Sequence, residues 1–219
     1  MHLLVEFFEA ACRKRSAEFL WCLYENLKCE QIEIVHLFKD PATSLPFDSP
    51  KIEVVDSESR VTYLRMFEYC NQELENEICI VANGDIIFTE SLDRLRGIDI
   101  DPFFITLSRW EMDREAGGNQ CYLFDNPASQ DSWIFKAPIQ TSNAMDFHMG
   151  VPGCDNRIAR IMHDQGLNVI NPSKSIRTIH FHHSQIRTYT HRDLVEGPYL
   201  IVEPSEIEAV LGETSSRFR

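Results

Sequence analysis

Short unbroken apolar runs alternate along the chain with longer stretches in which apolar residues recur every third or fourth position, and this rhythm predicts strands interleaved with helices. Residues 3–8 (LLVEFF) read as a first strand. Residues 13–27 follow as a helix, with Ser16, Leu20, Leu23 and Leu27 on one stripe flanked by Phe19 and Cys22. Residues 32–38 (IEIVHLF) are a second strand, stopped at Lys39-Asp40-Pro41 because proline withdraws a ladder donor. Residues 52–55 make a short third strand, 61–74 a second helix with Leu64, Phe67 and Leu74 inward, and 78–82 a nearly continuous apolar strand. Strand, helix, strand, strand, helix, strand predicts an α/β domain whose mixed, mostly parallel central sheet carries helices on both faces.

The tripeptide Asn83-Gly84-Asp85 then interrupts the apolar run before Ile86-Ile87-Phe88. Asn and Gly tolerate positive φ and Asp caps turns, so a plain bend is one reading. A ligand site is the other, because ligands of such sheets collect outside the carboxyl ends of the strands. A helix opened by Thr89 and closed near Gly97 leads to a strand at 103–107 and then to Ser108-Arg109-Trp110-Glu111. Residues 112–130, with Gly117-Gly118 and Pro127, read as a mobile loop of the length used for lids. Residues 131–135 resume a strand; Pro152 and Gly153 bend the chain into a helix at 155–165, with Ile158, Ile161 and Met162 inward and Gly166 as its stop. Residues 169–179 run extended around Pro172 and deliver His180-Phe181-His182-His183. The reading is one domain over 1–203, followed at 204–219 by a weakly held helix and a polar tail.

Composition narrows the class. With 43% hydrophobic and 25% charged residues in 219, the chain matches an ordinary soluble globular domain. No apolar run approaches the roughly 18–20 residues of a membrane span. The opening MHLLVEFFEA carries Glu6 and Glu9 and lacks a basic leader, so the expected location is the cytoplasm. Seven cysteines without a CxxC pair predict reduced, mostly buried thiols rather than disulfides or a cysteine zinc cluster. The net charge of −13 argues against nucleic acid or an anionic membrane as partner. An acidic chain still binds a phosphate-bearing metabolite where a cation or a local arginine cluster reverses the sign.

Four islands hold the chemically suggestive residues: ANGD, SQDSWIF, GVPGCDNRI and HFHHS. Singly, Asp131 reads as a turn cap, Asp155 as the N-cap of its helix, and the histidines as satisfied surface or core residues. Jointly they suit a divalent cation, Mn²⁺ or Mg²⁺, held by one or two carboxylates plus substrate phosphates, with a second carboxylate as general base towards an acceptor hydroxyl. Zinc is the rival reading of His180 and His182, which point to one face of a strand; it lacks a cysteine pair or a Glu at helical spacing.

The segments RKRSAEFLWCLYENL, IEIVHLFKD, VTYLRMFEYCN, IVANGDIIF, LSRWE, SQDSWIF and GCDNRIARIMHDQGLNVINPS with HFHHS resemble nucleotide-sugar-dependent glycosyltransferases of the Rossmann-like GT-A fold, particularly small family-2-like members. That resemblance implies Asp85 as the main metal carboxylate, with Asn83 in place of the first acid of an Asp-x-Asp motif, and His180 or His182 completing metal or diphosphate contacts. It implies Asp155 as base with Asp131 as competitor, Phe7, Asp40, Arg60 and Tyr63 around the nucleobase and ribose, and Arg109 with Trp110 bracketing the sugar. The implied activity is inverting transfer of a hexosyl or deoxyhexosyl group from a UDP-sugar to a glycan hydroxyl. A nucleotidyltransferase, which wants a glycine-rich phosphate loop after its first strand, and a non-catalytic glycan-binding module are the alternatives; a glycoside hydrolase, which needs no cation, stands behind both.

Overall fold

The computed structural model describes residues 1–8, 10, 12–113, 120–184 and 190–209. Seven strands form the main sheet: β1 (His2–Phe7), β2 (Ile34–Lys39), β3 (Ile52–Asp56), β4 (Ile78–Ala82), β6 (Phe103–Leu107), β9 (Ser132–Lys136) and β10 (Asn168–Ile170). Their spatial order is β10-β6-β9-β4-β1-β2-β3, and β9 alone runs antiparallel to its neighbours β4 and β6. This is the mixed α/β, Rossmann-like domain the pattern predicts.

Both faces are covered, which is why the strands read as continuous apolar runs rather than alternating ones. On one face Leu3, Val5, Leu37, Ile80 and Ile134 pack under α1 (Arg13–Lys28) through Phe19 and Leu23. On the other, Leu4, Val81, Phe104, Trp133 and Phe135 meet α2 (Tyr63–Glu73) and α3 (Cys154–Asp164). Phe67 of α2 is fully buried there, its ring edge-on to Phe135 at 5.2 Å and to Phe104 at 6.2 Å. Phe67→Ala should therefore cost about 3–5 kcal/mol in denaturant unfolding; a loss below about 1 kcal/mol would mean this face closes over the cavity or is not packed as described.

A second sheet, β5-β11-β7-β8, sits beside the first and contains β5 (Ile86–Phe88), β7 (Trp110–Met112), β8 (Cys121–Leu123) and β11 (Thr178–His180). The Asn26 side chain of α1 donates to the Ile86 carbonyl and accepts from the Phe88 amide, both at 2.8 Å, and so completes the free edge of β5 as a strand would.

Several expectations are corrected. The stretch at 112–130 is not a plain loop: Cys121–Leu123 pairs antiparallel with Trp110–Met112, and Gly117-Gly118 lies outside the described residues. The helix after Thr89 is a six-residue 3₁₀ turn, Glu90–Leu95. The extended run at 169–179 divides between the two sheets, its first part pairing with β6 and its last with β5 and β7. Of the C-terminal segment, 204–209 packs onto the 171–176 stretch, with Ile207 buried and its amide bonded to Ser175 Oγ at 2.9 Å; 210–219 lie outside the described residues. Among the described residues, no helix is long and apolar enough to cross a membrane.

Candidate functional site

After β1 the chain builds outward through β2 and β3, then returns to place β4 on the other side of β1. The reversal opens a crevice at the carboxyl ends of β1 and β4, the place where open α/β sheets bind ligands. A cavity of about 420 Å³ lies there, lined among others by Glu6, Arg15, Asn83, Asp85, Asp131 and Asp155. A smaller one of about 160 Å³ adjoins it, sharing Glu6, Phe8 and Arg60.

The Asn83-Gly84-Asp85 turn needs its glycine for a reason other than positive φ, which neither Asn83 nor Gly84 adopts. A Cβ on Gly84 would stand 3.1 Å from the Glu6 carbonyl, so any other residue would push this turn a few tenths of an ångström off β1. Asp85 is thereby turned into the crevice, where it is buried. Its Oδ2 receives Arg15 Nη2 at 2.5 Å and His180 Nε2 at 3.2 Å, with His182 Nδ1 at 3.9 Å. Burial alone would raise the Asp85 pKa, but His180 and Arg15 outweigh it and hold the carboxyl well below its usual range. His180 behaves in mirror image: burial disfavours its charge, while Asp85 and Glu111 raise it to about 9. For His182, burial and the neighbouring Arg15 push the pKa down.

Arg15 also donates from Nη1 to Glu18 Oε2 at 2.9 Å, and Glu18 accepts from the Ser184 amide and hydroxyl at 2.6 and 2.9 Å. On the other side His180 Nδ1 faces Glu111 at 3.1 Å, Glu111 accepts from Arg109 Nε at 2.7 Å, and Arg109 Nη1 donates to Asp131 at 2.8 Å. Asp131 in turn accepts from Asn83 Nδ2 at 2.8 Å. Acid and base thus alternate along one network from Ser184 to Asn83, each buried charge meeting an opposite one. Burial raises and then His180 and Arg109 together lower the Glu111 pKa, to about 2.

Asp155 stands apart from this network. Gly153 caps α3 at φ +78, leaving Asp155 in the first turn, where its carboxylate accepts the Gln130 amide at 3.1 Å and the Asn156 amide at 3.0 Å. Burial pushes its pKa up, the two amides pull it down, nearby Asp131 adds to the rise, and the result is about 6. A carboxylate poised there accepts a proton near neutrality, whereas one locked to an arginine does not.

Of the residues singled out from sequence, Asn83, Asp85, Arg109, Asp131, Asp155, His180 and His182 line the larger cavity, Phe7 and Asp40 the smaller, and Arg60 both. Tyr63 and Trp110 line neither. Tyr63 is fully buried, its hydroxyl 3.7 Å from Cys154 Sγ, and Trp110 donates from Nε1 to the Ser173 carbonyl with Arg177 over its ring. Arg15, Glu18 and Glu111, which sequence reasoning passed over, complete the site. So does Glu6, which accepts the Val61 amide at 2.9 Å.

One carboxylate oxygen and two imidazole nitrogens, from Asp85, His180 and His182, lie within 4.8 Å of one another. Glu111, bonded to the His180 Nδ1, orients the ring so that Nε2 faces Asp85, as a carboxylate behind a histidine ligand does. This mixed donor set fits a divalent cation that accepts nitrogen as well as oxygen, Mn²⁺ better than the oxygen-demanding Mg²⁺.

No protein-family model matches the chain, nor does any curated protein. Solved structures similar to it include HddC from Yersinia pseudotuberculosis, at 12% identity and TM-score 0.39 over 62% of this chain and 76% of that one. A mannosyltransferase from Pyrobaculum calidifontis, solved with GDP-Man and Mn²⁺, is similar at 12% identity and TM-score 0.49 over 84% of this chain and 57% of its own length. The inositol-1-phosphate CTP transferase from T. maritima is similar at 12% identity and TM-score 0.48, over 85% and 91% of the two chains.

Proposed function

We propose that this chain is a GT-A-type glycosyltransferase that moves a sugar from a nucleoside diphosphate, a uridine one, to a hydroxyl of a glycan. The observation that supports this most is that a carboxylate and two imidazoles able to hold a cation share one cavity with a separate carboxylate poised as a base. Asp155 takes the proton of the acceptor hydroxyl as that oxygen bonds to the anomeric carbon and the bond to the diphosphate breaks. With the base at the start of α3 and the leaving-group end at Asp85 after β4, the reading is one displacement with inversion. A bound divalent cation would neutralise charge on the departing diphosphate. Arg109, anchored by Asp131 and Glu111, keeps a guanidinium at the cavity wall. Phe8 and Arg60, at the junction of the two cavities, offer a ring and a cation to the nucleoside end, with Phe7 and Asp40 beyond them.

A nucleotidyltransferase would hold triphosphate on backbone amides of a glycine-rich loop after the first strand. Residues 8–12, FEAAC, contain no glycine.

The test is thermal unfolding with nucleoside diphosphates and their sugars, with and without Mn²⁺. Ligand at a hundred times its dissociation constant stabilises by about 2.7 kcal/mol, a rise of roughly 5–10 °C for a chain of this size. The rise should require one base type and the cation together. A shift with Zn²⁺ that ignores nucleotide would replace this reading with a zinc site, since two imidazoles and a carboxylate also suit that ion.

A further inference from the structure

Asp85 is the only carboxylate in the three-ligand cluster, and its Oδ2 is already engaged by the Arg15 guanidinium at 2.5 Å. That oxygen is also the one facing both imidazoles, 3.2 Å from His180 Nε2 and 3.9 Å from His182 Nδ1, so an ion held among the three meets the same atom. Arg15 is not a surface residue that happens to reach in: it is 8% exposed, fixed on α1 by Glu18 at 2.9 Å and set over the Phe19 ring at 4.4 Å. Glu18 also holds Ser184, two residues beyond His182, so a single carboxylate ties the arginine to the segment that carries two of the ligands. The guanidinium lines the larger cavity, within which any diphosphate close to Asp85 would lie.

An arginine fork matches the planar geometry of a carboxylate and of a phosphate alike, so one guanidinium serves either partner. We propose, building on the donor assignment above, that Arg15 is a donor-binding residue that occupies the cation's seat at Asp85 in the free protein and passes to the diphosphate of the nucleotide when it binds. Cation and nucleotide are then coupled through one side chain. The ion alone meets a site already neutralised by a fixed positive charge, and binds poorly. The diphosphate draws that charge away, frees the Asp85 oxygen, and adds anionic oxygens of its own. By linkage, the cation must raise nucleotide affinity by the same factor. The arrangement also keeps Asp85 paired when no ligand is present, which a buried carboxylate requires.

The experiment is Mn²⁺ binding to the full chain, read from the electron paramagnetic resonance of the free ion, for wild type, Arg15→Gln and Arg15→Lys, each with and without UDP. Thermal melts run alongside establish that each variant is folded. Arg15→Gln, with the competing charge gone, should bind Mn²⁺ alone about tenfold or more tightly than wild type, within the usual range of site-to-site coupling. UDP should tighten Mn²⁺ binding to wild type by a similar factor and to Arg15→Gln by far less. Arg15→Lys, a single-point cation unable to hold Asp85 and Glu18 together, should shift in the same direction by a smaller amount, and it decides the matter if Arg15→Gln does not fold. Unchanged or weaker Mn²⁺ affinity in the folded variant overturns the proposal, as does tight binding of Mn²⁺ to wild type without nucleotide. Because the comparison in Mn²⁺ alone involves no nucleotide, it stands or falls separately from the donor assignment, which fails instead if wild type binds no nucleoside diphosphate with Mn²⁺ present.

Discussion

Asp155→Asn should lower glycosyl transfer by about 10²- to 10⁴-fold, the usual contribution of a general base, while leaving nucleotide binding intact and changing stability at neutral pH only modestly. Asparagine keeps the shape but an acceptor oxygen for only one of the two backbone amides, because Gln130 bonds Oδ2 and Asn156 bonds Oδ1. What it removes is a negative charge held in a site where burial, and then Asp131, oppose it. The stability effect follows from the direction of that shift. A carboxyl raised to about 6 in the folded chain favours its protonated form there, so ionisation opposes folding as pH rises from its unfolded value to about 6, and the penalty is complete above that. Because Asp155 is only partly buried, the penalty is discounted to on the order of 1–2 kcal/mol, which the amide left without its acceptor, about 1–3 kcal/mol, offsets, so the melting temperature moves by less than about 8 °C. Wild-type transfer should correspondingly fall as pH drops through about 6, with the base protonated. Calorimetric nucleotide binding, turnover and melting measured on one preparation separate the two roles. Joint loss of binding, turnover and stability would make Asp155 a helix-start residue and nothing more.

The main sheet was legible because its strands are apolar on both faces: Leu3 and Leu4 go to opposite sides of β1, and each meets a helix. The face of α1 was misread by one position. The stripe of Ser16, Leu20, Leu23 and Leu27 flanked by Phe19 and Cys22 includes three of the buried residues, Phe19, Cys22 and Leu23, whereas the full buried set is Arg15, Glu18, Phe19, Cys22, Leu23 and Asn26. Those positions keep perfect helical spacing, but half of them are polar. Their partners lie far away in sequence, Asp85 seventy residues on for Arg15 and Ser184 for Glu18, so nothing local marks them as inward. An arginine and a glutamate three apart on the side of a helix that also carries Phe19 and Leu23 are the one signal available, since buried charges are rare unless paired.

The same limit applies at β7. LSRWE drew attention to Arg109 and Trp110 together, yet neighbours in a strand point to opposite faces. Arg109 and Glu111 face the network, and Trp110 turns away to Ser173. Glu111 was readable from that alternation once Arg109 was suspected. Tyr63 follows a similar logic at the start of α2, where Phe67, Phe147 and Trp133 surround its ring and take it into the core. Asp85, His180 and His182 were joined in the sequence only by the family resemblance; what brings them together is the antiparallel pairing of His180, the last residue of β11, with Ile86, which nothing local in the sequence marks.

Asp85→Ala should abolish cation-dependent donor turnover, a fall of about 10²- to 10³-fold or more by analogy with loss of one transition-state electrostatic contact, and should also weaken the fold. The two losses have one origin. Arg15 and His180 are 10% and 12% exposed at their side chains and share this carboxylate, so deleting it leaves two buried cations with one acidic partner each, Glu18 and Glu111. Breaking a buried ion pair from one side costs about 3–5 kcal/mol, which would lower the melting temperature by roughly 6–20 °C. A fall in turnover alone could then reflect unfolding, so Asp85→Asn is the decisive companion. Its amide oxygen still accepts from Arg15 and its volume fills the same space, which limits the stability loss, while the anionic oxygen a divalent ion needs is gone. Folded Asp85→Asn should therefore show no Mn²⁺-dependent thermal shift with nucleotide and the same collapse of transfer as Asp85→Ala. Full turnover in either variant would remove the Asp85, His180 and His182 cluster from the reaction, and an unaltered melting temperature in Asp85→Ala would mean that Arg15 does not rest on Asp85 in solution.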